Sequence, residues 1–377
     1  MIAILGDLHG RRYQTFNSIV DGKDARLNDI VSVIEQAGKE CYSKGINELF
    51  LGGDIFHNRY RIDVPVYHAV WKALRFVSCL GIKLHFIVGN HDLFLRESCK
   101  HSSIAPFADI GNVYDEPELI EVDGRHVLAL PYDSEITKGF LMDNQIHGKD
   151  IVVIGHVEVK GARFATGVKS EKGISVKELK TVLKQEGAKS VICFFAHYHH
   201  PSVKKSTIFI GAGLHMDRND SVSSEEDGDR YLWLLDGKKV SRVPLQFPKF
   251  IRKNYDDLEP SCVGEHFYTV ALPMGNKDTT PEEIKSQLLR AGARDVEVLL
   301  VRATDEADKD AGLAGKEYYG LGFDECVKQY ITDYCPTDLS HSSVSAAVKE
   351  VMEEVHLTNK GLTGTRKFVR KVAGVLK

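Results

Sequence analysis

Seven side chains in this sequence are of the kinds that hold divalent cations: Asp7, His9, Asp54, Asn90, His156, His197 and His199. Two carboxylates, one amide and four imidazoles are too many donors for a single ion. They suit two ions that share a bridging carboxylate, and Asp54 stands near the middle of the set. All-oxygen cages select magnesium or calcium, whereas a histidine-rich set favours manganese, iron or zinc. Two such ions can activate a water and stabilise the attacking and leaving oxygens of an in-line phosphoryl displacement.

The elements that must position these donors are five apolar runs, each ending in Asp, Asn or His. Met1 to Leu5 runs into Gly6-Asp7-Leu8-His9. Glu48 to Leu51 runs into Gly52-Gly53-Asp54-Ile55-Phe56-His57. Lys83 to Val88 runs into Gly89-Asn90-His91-Asp92. Ile151 to Ile154 ends at Gly155-His156, and Val191 to Phe195 at Ala196-His197-Tyr198-His199. Short apolar runs of this length read as buried strands. In open α/β sheets ligands bind outside the carboxyl ends of the strands. The spacing of two in Asp7/His9 and His197/His199 puts each pair on one side of an extended backbone. The other ten histidines, His200 among them, lack this context and read as surface or packing residues.

Between the runs lie helix signals. Leu27, Ile30, Val31, Ile34 and Ala37 recur at helical steps, as do Val66, Ala69, Val70, Ala73, Leu74 and Val77, with Pro65 in the first turn. Strand, helix, strand, helix, strand opens a parallel sheet. Hairpins come next, about Asp123-Gly124 and Asp236-Gly237. The acidic, Ser-rich stretch 217–230 reads as an exposed loop. Pro244 and Pro248 mark a boundary. Residues 265–303 then read strand, helix, strand, residues 304–317 a linker, and residues 323–335, 343–356 and 365–376 helices. The expected organisation is a domain over 1–245, a small α/β cap over 246–317 and a C-terminal helical segment over 318–377.

The chain has 377 residues, 43% apolar and 27% charged, with a formal charge of −4. That balance excludes a global basic field, so any nucleic-acid surface is a local patch. Seven cysteines without CxxC spacing indicate reduced thiols in a cytoplasmic setting rather than a disulfide framework. No stretch approaches the ~20 apolar residues of a membrane span, and the opening strand leaves no signal peptide to read.

The five motifs, DxH, GDxxx, GNH[DE], GH and HxH, resemble those of the calcineurin-like metallophosphoesterase superfamily. That resemblance implies a two-sheet αββα sandwich carrying a small α/β cap and a helical tail. GGDIFHNR with GNHD is similar to the SbcD-type nuclease subunits of double-strand-break repair, because a histidine follows the bridging Asp by three. IFIGAG, the later Pro-Lys-Phe, the small α/β cap and the helical tail are similar in order to the recombination nuclease subunits of T-even-like phages. GDLHG is closer to phosphatases in its last glycine. The resemblance implies that Asp7, His9, Asp54 and His199 hold one metal, and Asp54, Asn90, His156 and His197 the other, with manganese the expected ion. It implies that His91 faces the scissile phosphate, that Asp92 orients the His91 ring, and that His57 lies beside the metals. Asp92 could instead cap the following turn.

The activity so implied is two-metal DNA phosphodiester hydrolysis; the alternatives are a phosphomonoesterase or Ser/Thr protein phosphatase on the same core, and a non-catalytic scaffold. Arg11, Arg12, Arg59 and Arg61 lie near the motif loops and could track DNA phosphates. The wide apolar face of Val66, Tyr67, Val70, Trp71, Leu74 and Val77 suggests a homodimer. Ser343 to Glu354 and Thr365 to Leu376 form an amphipathic pair, with Phe368, Val372, Val375 and Leu376 on one side. The resemblance implies that this segment docks an SMC-like coiled-coil ATPase.

Overall fold

A computed structural model describes residues 1–301 except 14–15, 21–22, 95–100, 135–145, 164–168, 225–227, 260–262 and 277. The chain divides into two compact units, residues 1–308 and 309–377. The second unit, and with it the three expected C-terminal helices, lies outside the described residues.

The chain begins with β1 (Ile2–Leu5), a ribbon of β2 (Ile19–Val20) and β3 (Lys23–Asp24), and helix α1 (Ala25–Ser43). Then come β4 (Glu48–Leu51), α2 (Val64–Cys79), β5 (Lys83–Ile87), β6 (Gly111–Tyr114), β7 (Glu118–Val122), β8 (Arg125–Leu130) and β9 (Asp150–Gly155). Helix α3 (Val176–Gln185) leads to β10 (Ser190–Phe195), β11 (Ser202–Lys204), β12 (Thr207–Phe209), β13 (Tyr231–Asp236) and β14 (Lys239–Pro244). The last described elements are β15 (Phe250–Asn254), β16 (Phe267–Pro273), helix α4 (Pro281–Arg290) and β17 (Asp295–Val301).

Two six-stranded sheets result, in the orders β14-β13-β1-β4-β5-β6 and β11-β12-β10-β9-β8-β7. Their facing surfaces share one core, in which Ile2, Ile4, Phe50 and Ile87 meet Val152, Ile154, Phe194 and Ile208. On the outer face of the first sheet, Ala3, Leu5, Leu49 and Leu51 pack with Ile30, Ile34, Val70 and Leu74 of α1 and α2. Helix α3 covers the second sheet through Leu179 and Leu183. Strands buried on both faces explain why the runs are continuously apolar rather than alternating. The layering is therefore α-β-β-α, as the sequence leads one to expect.

The first hairpin turns at its expected dipeptide and the second at Gly237-Lys238, one residue on from the expected Asp236-Gly237. Asp123 and Gly124 take φ of 51° and 68°, the left-handed pair that a tight two-residue turn requires. Asp236 pairs with Lys239 across the second turn. On α2, Val66, Val70, Leu74 and Val77 are buried in the chain's own core, and Tyr67 and Trp71 pack half-buried against it. Most of the face read as a dimer surface is thus a core face.

The stretch 217–230 departs from its reading as a wholly exposed loop. Asp220 and Arg230 are both buried and joined at 3.0 Å. Asp220 Oδ2 also accepts from the Met216 N–H at 2.7 Å. A buried carboxylate needs such partners, and these pin both ends of the stretch.

A third sheet, β15-β16-β17, is wholly parallel. Its strand–helix–strand order matches the reading of 265–303, and β15 is an addition to it. Val270, Leu272, Ile284, Leu288 and Val296 give it a core of its own. Thr280 and Glu283 cap α4 reciprocally. Arg294 ties the sheet to α1 through Asp29 at 2.8 Å.

Candidate metal centre

All seven expected donors meet where the carboxyl ends of β1, β4, β5, β9 and β10 converge. The backbone turns sharply to present them. His9, Asp54 and His197 have φ of 47°, 51° and 74°, a region that residues with a Cβ enter at a cost. Neighbouring amides hold these turns: the His9 N–H donates to the Asp54 carbonyl at 2.8 Å, and the His197 N–H to Asp7 Oδ1 at 3.2 Å. Gly89 is required by close approach, since a Cβ there would lie 2.3 Å from Asp54 N and Oδ1.

Asp54 occupies the middle. Its Oδ1 accepts from the His91 N–H at 2.7 Å. Its Oδ2 lies 3.6 Å from His9 Nε2 and 3.4 Å from His156 Nε2. On one side, Asp7 Oδ2 stands 3.9 Å from His9 Nε2 and 3.8 Å from His199 Nε2. On the other, His156 Nε2 lies 3.1 Å from Asn90 Oδ1 and 3.2 Å from His197 Nδ1. The donors of Asp7, His9 and His199 fall within 4.8 Å of one another, as do those of Asp54, His156 and His197.

This arrangement fits divalent cations. Asp7 Oδ2 is fully buried and takes no hydrogen bond. Its nearest ring nitrogens are too far for hydrogen bonds but spaced like atoms around a shared ion. Buried carboxylates demand positive charge nearby. For Asp54, burial raises the pKa, but His156, His9 and His91 outweigh it and hold the carboxyl well below its ordinary range. Burial pulls the His156 pKa down, yet Asp54 and Asp7 outweigh it and lift it to about 9. His156 Nδ1 bonds the Gly52 carbonyl at 2.8 Å, which leaves Nε2 aimed at the site.

His57 and His91 stack beside this centre, ring centroids 5.2 Å apart. The His91 ring is fixed by the His57 backbone, whose carbonyl accepts from Nδ1–H at 2.6 Å. Asp92 does not take the orienting part expected of it. Its Oδ1 accepts from the Ile55 and Phe56 N–H groups and its Oδ2 from that of Gly89, at 3.0 to 3.3 Å. Asp92 therefore fixes the turn that carries Asp54. Arg11 donates to His57 Nε2 at 2.7 Å, so that nitrogen is an acceptor and the His57 proton sits on Nδ1. Burial first, and Arg11 second, lower the His57 pKa to about 4. Neither the carbonyl latch on His91 nor the Arg11–His57 contact had a signal in the spacing, because both partners come from separate loops.

Gly10 has a packing explanation. It bridges to Phe56, and a Cβ there would meet Ile55 O at 3.1 Å. Its likeness to phosphatase motifs thus reflects a close backbone crossing. His200 lies outside the donor set, 3.8 Å from Asp220.

The fold and the site define a class: the chain belongs to the calcineurin-like phosphoesterase family, which residues 1–201 match. Among particular proteins, it is 27% identical over 207 residues to Exonuclease subunit 1 of Enterobacteria phage T4. The match covers 54% of this chain and 57% of that relative, so the chain spans little more than half the length of the curated protein it resembles. A crystal structure of a dimetal phosphatase from Danio rerio aligns over 66% of this chain and 96% of its own, at 10% identity and a TM-score of 0.39. Among the described residues, no helix is long and apolar enough to cross a membrane.

Proposed function

We propose that the chain hydrolyses DNA phosphodiester bonds with two divalent ions, manganese the expected pair, as the nuclease subunit of a recombination and double-strand-break repair complex in the cytoplasm. The observation that carries this reading is Asp54 Oδ2 poised between His9 and His156, with a donor cluster on either side. The likeness to a protein named as an exonuclease subunit favours a diester over a monoester substrate.

Asp7, His9, Asp54 and His199 would hold one ion, and Asp54, Asn90, His156 and His197 the other. Bound there, the ions supply Lewis-acid stabilisation of phosphoryl charge and an activated water. His91 commits Nδ1–H to the His57 carbonyl, so Nε2 is the nitrogen that meets substrate, and in the doubly protonated ring it is the Nε2 proton that passes to the departing oxygen, leaving the neutral Nδ1–H form. Arg11, held at His57, adds fixed positive charge beside that ring.

The decisive experiment compares Mn²⁺-dependent cleavage of linear duplex DNA with turnover of a small phosphomonoester. DNA cleavage supports the proposal. Monoester turnover without DNA cleavage establishes the phosphatase alternative. The proposal extends to partners: residues 246–317 cap the DNA-binding side, and residues 318–377 dock an SMC-like coiled-coil ATPase. Loss of ATPase co-purification on deleting residues 343–377 supports the docking, and retention overturns it. A homodimer is also expected, with light scattering as its check.

A further inference from the structure

Two exposed aromatic rings follow histidines of the metal centre in the chain and have no place in the cores. Tyr60 is 69% exposed and Phe94 45% exposed, yet their rings meet edge to face with centroids 5.5 Å apart. Each stands three residues beyond a histidine of the site, Tyr60 after His57 and Phe94 after His91. The two loops are latched together three residues before the rings, where the His57 carbonyl accepts from His91 Nδ1–H.

Both rings are held in place by their own backbones. Asn58 Oδ1 accepts from the Tyr60 and Arg61 N–H groups at 3.0 and 3.1 Å, an Asx turn that fixes the tip of the first loop. The Phe94 N–H donates to the His101 carbonyl at 3.0 Å, and the Ser103 N–H to that of Asp92 at 2.8 Å. Exposing two large rings forgoes the burial that folding rewards, so a ligand that covers them is the economical reading. The sequence at the tip is Arg59-Tyr60-Arg61. The Arg61 side chain is 86% exposed, with Asp63 3.9 Å away. Aromatic rings flanked by cations form the stacking-and-phosphate pattern of single-strand binding.

We propose that Tyr60 and Phe94 form a stacking platform for an unpaired nucleobase of the strand whose phosphate enters the metal centre. This deepens the proposed function and rests on it. The platform gives the enzyme a preference for frayed or single-stranded ends, since a base must leave its duplex neighbours to reach the rings.

The test uses the full-length chain with its divalent ions bound, and a single-stranded oligonucleotide with cleavage-resistant phosphorothioate linkages and 2-aminopurine at its terminal positions. Stacking on the rings quenches the probe in the wild type. Tyr60→Ala and Phe94→Ala should each weaken binding on the order of tenfold and relieve the quench. Tyr60→Phe should behave as wild type, because the ring and not the hydroxyl stacks. Tetrahydrofuran abasic residues at the probe positions should remove the difference between wild type and the alanine variants. Circular dichroism melts of all variants guard against unfolding. Equal binding of base-bearing and abasic strands by the wild type would overturn the platform. So would a wild type that sediments as a dimer and a Tyr60→Ala or Phe94→Ala variant that sediments as a monomer with the quench intact, because the rings would then be a contact between copies. A quench without any DNA cleavage in Mn²⁺ leaves the platform standing and refutes the nuclease reading, so the two fail separately.

Discussion

The sandwich and the small third sheet are built by the same rules and differ in the residues at their strand ends. Both place parallel strands under a covering helix, and both bury continuous apolar cores. In the sandwich, β1, β4, β5, β9 and β10 end in carboxylates, an amide and imidazoles. Asp7, His9, Asp54, Asn90 and His156 are buried there. In the small sheet, Thr269 is the one buried polar side chain among the described residues, and β16 runs out into Pro273-Met274-Gly275. A parallel sheet supplies converging strand ends. Chemistry appears only where those ends carry donors and where tight turns hold them inward.

Substitutions can break this contrast from either side, and the sandwich should respond most. Asp54→Asn removes the charge between both donor clusters, so metal content and hydrolysis should fall to background together; elemental analysis alongside a nuclease assay reads both. His91→Ala should keep both metals and lose turnover on the order of 10²–10⁴-fold, the usual range for a general acid. An empty site in that variant would reassign His91 as a ligand. In the small sheet, Leu272→Ala should cost about 2–5 kcal/mol of stability by leaving a cavity. Its metal content should match wild type, as denaturant unfolding and elemental analysis can show.

The smallest effect concerns a buried histidine far from the donors. His85 Nε2 lies 2.6 Å from Glu48 and Nδ1 2.8 Å from the Tyr114 hydroxyl. The carboxylate accepts from Nε2–H, so Nδ1 accepts from the tyrosine and the ring is neutral. Burial lowers its pKa below 6.5, against the upward pull of Glu48. A folded-state pKa below the unfolded one gives stability that is complete above the unfolded value and lost as pH falls from there through the folded one. Wild type should therefore weaken below about pH 6.5 more steeply than His85→Gln, by at most about 1.4 kcal/mol per pH unit. Parallel slopes in urea titrations at several pH values would rule this out.

The sandwich is legible in the sequence because each of its signals is local. An apolar run and its donor lie within about ten residues, with a glycine between them in all but the fifth run, and the Asp123-Gly124 turn announces its own hairpin. Strand β15 is not legible, because Phe250-Ile251-Arg252-Lys253-Asn254 lacks alternation and becomes a strand through pairing with β16. The burial of Asp220 and Arg230 inside a polar stretch is equally hidden, since each is explained by the other ten residues away. Asp92 is legible as a residue of the site, but its partners are not. Chain proximity points to the adjacent ring, whereas the fold brings the Ile55 and Phe56 amides to its carboxylate. Arg26 has no signal in the sequence at all. It is buried under Tyr13 and donates to the His215 and Met216 carbonyls, contacts about 190 residues distant in the chain.

The left-handed backbone at His9, Asp54 and His197 sets the order in which heat should disable the molecule. Each such residue costs about 1–3 kcal/mol, against a net stability of about 5–15 kcal/mol for an ordinary domain. Three of them at one end of the sandwich make that end the first to relax on warming, while the sheets beneath keep their ladders. Catalytic competence should therefore fail before the fold does. A chelating dye should report metal escape at a lower temperature than the one at which the far-ultraviolet signal of the sheets collapses.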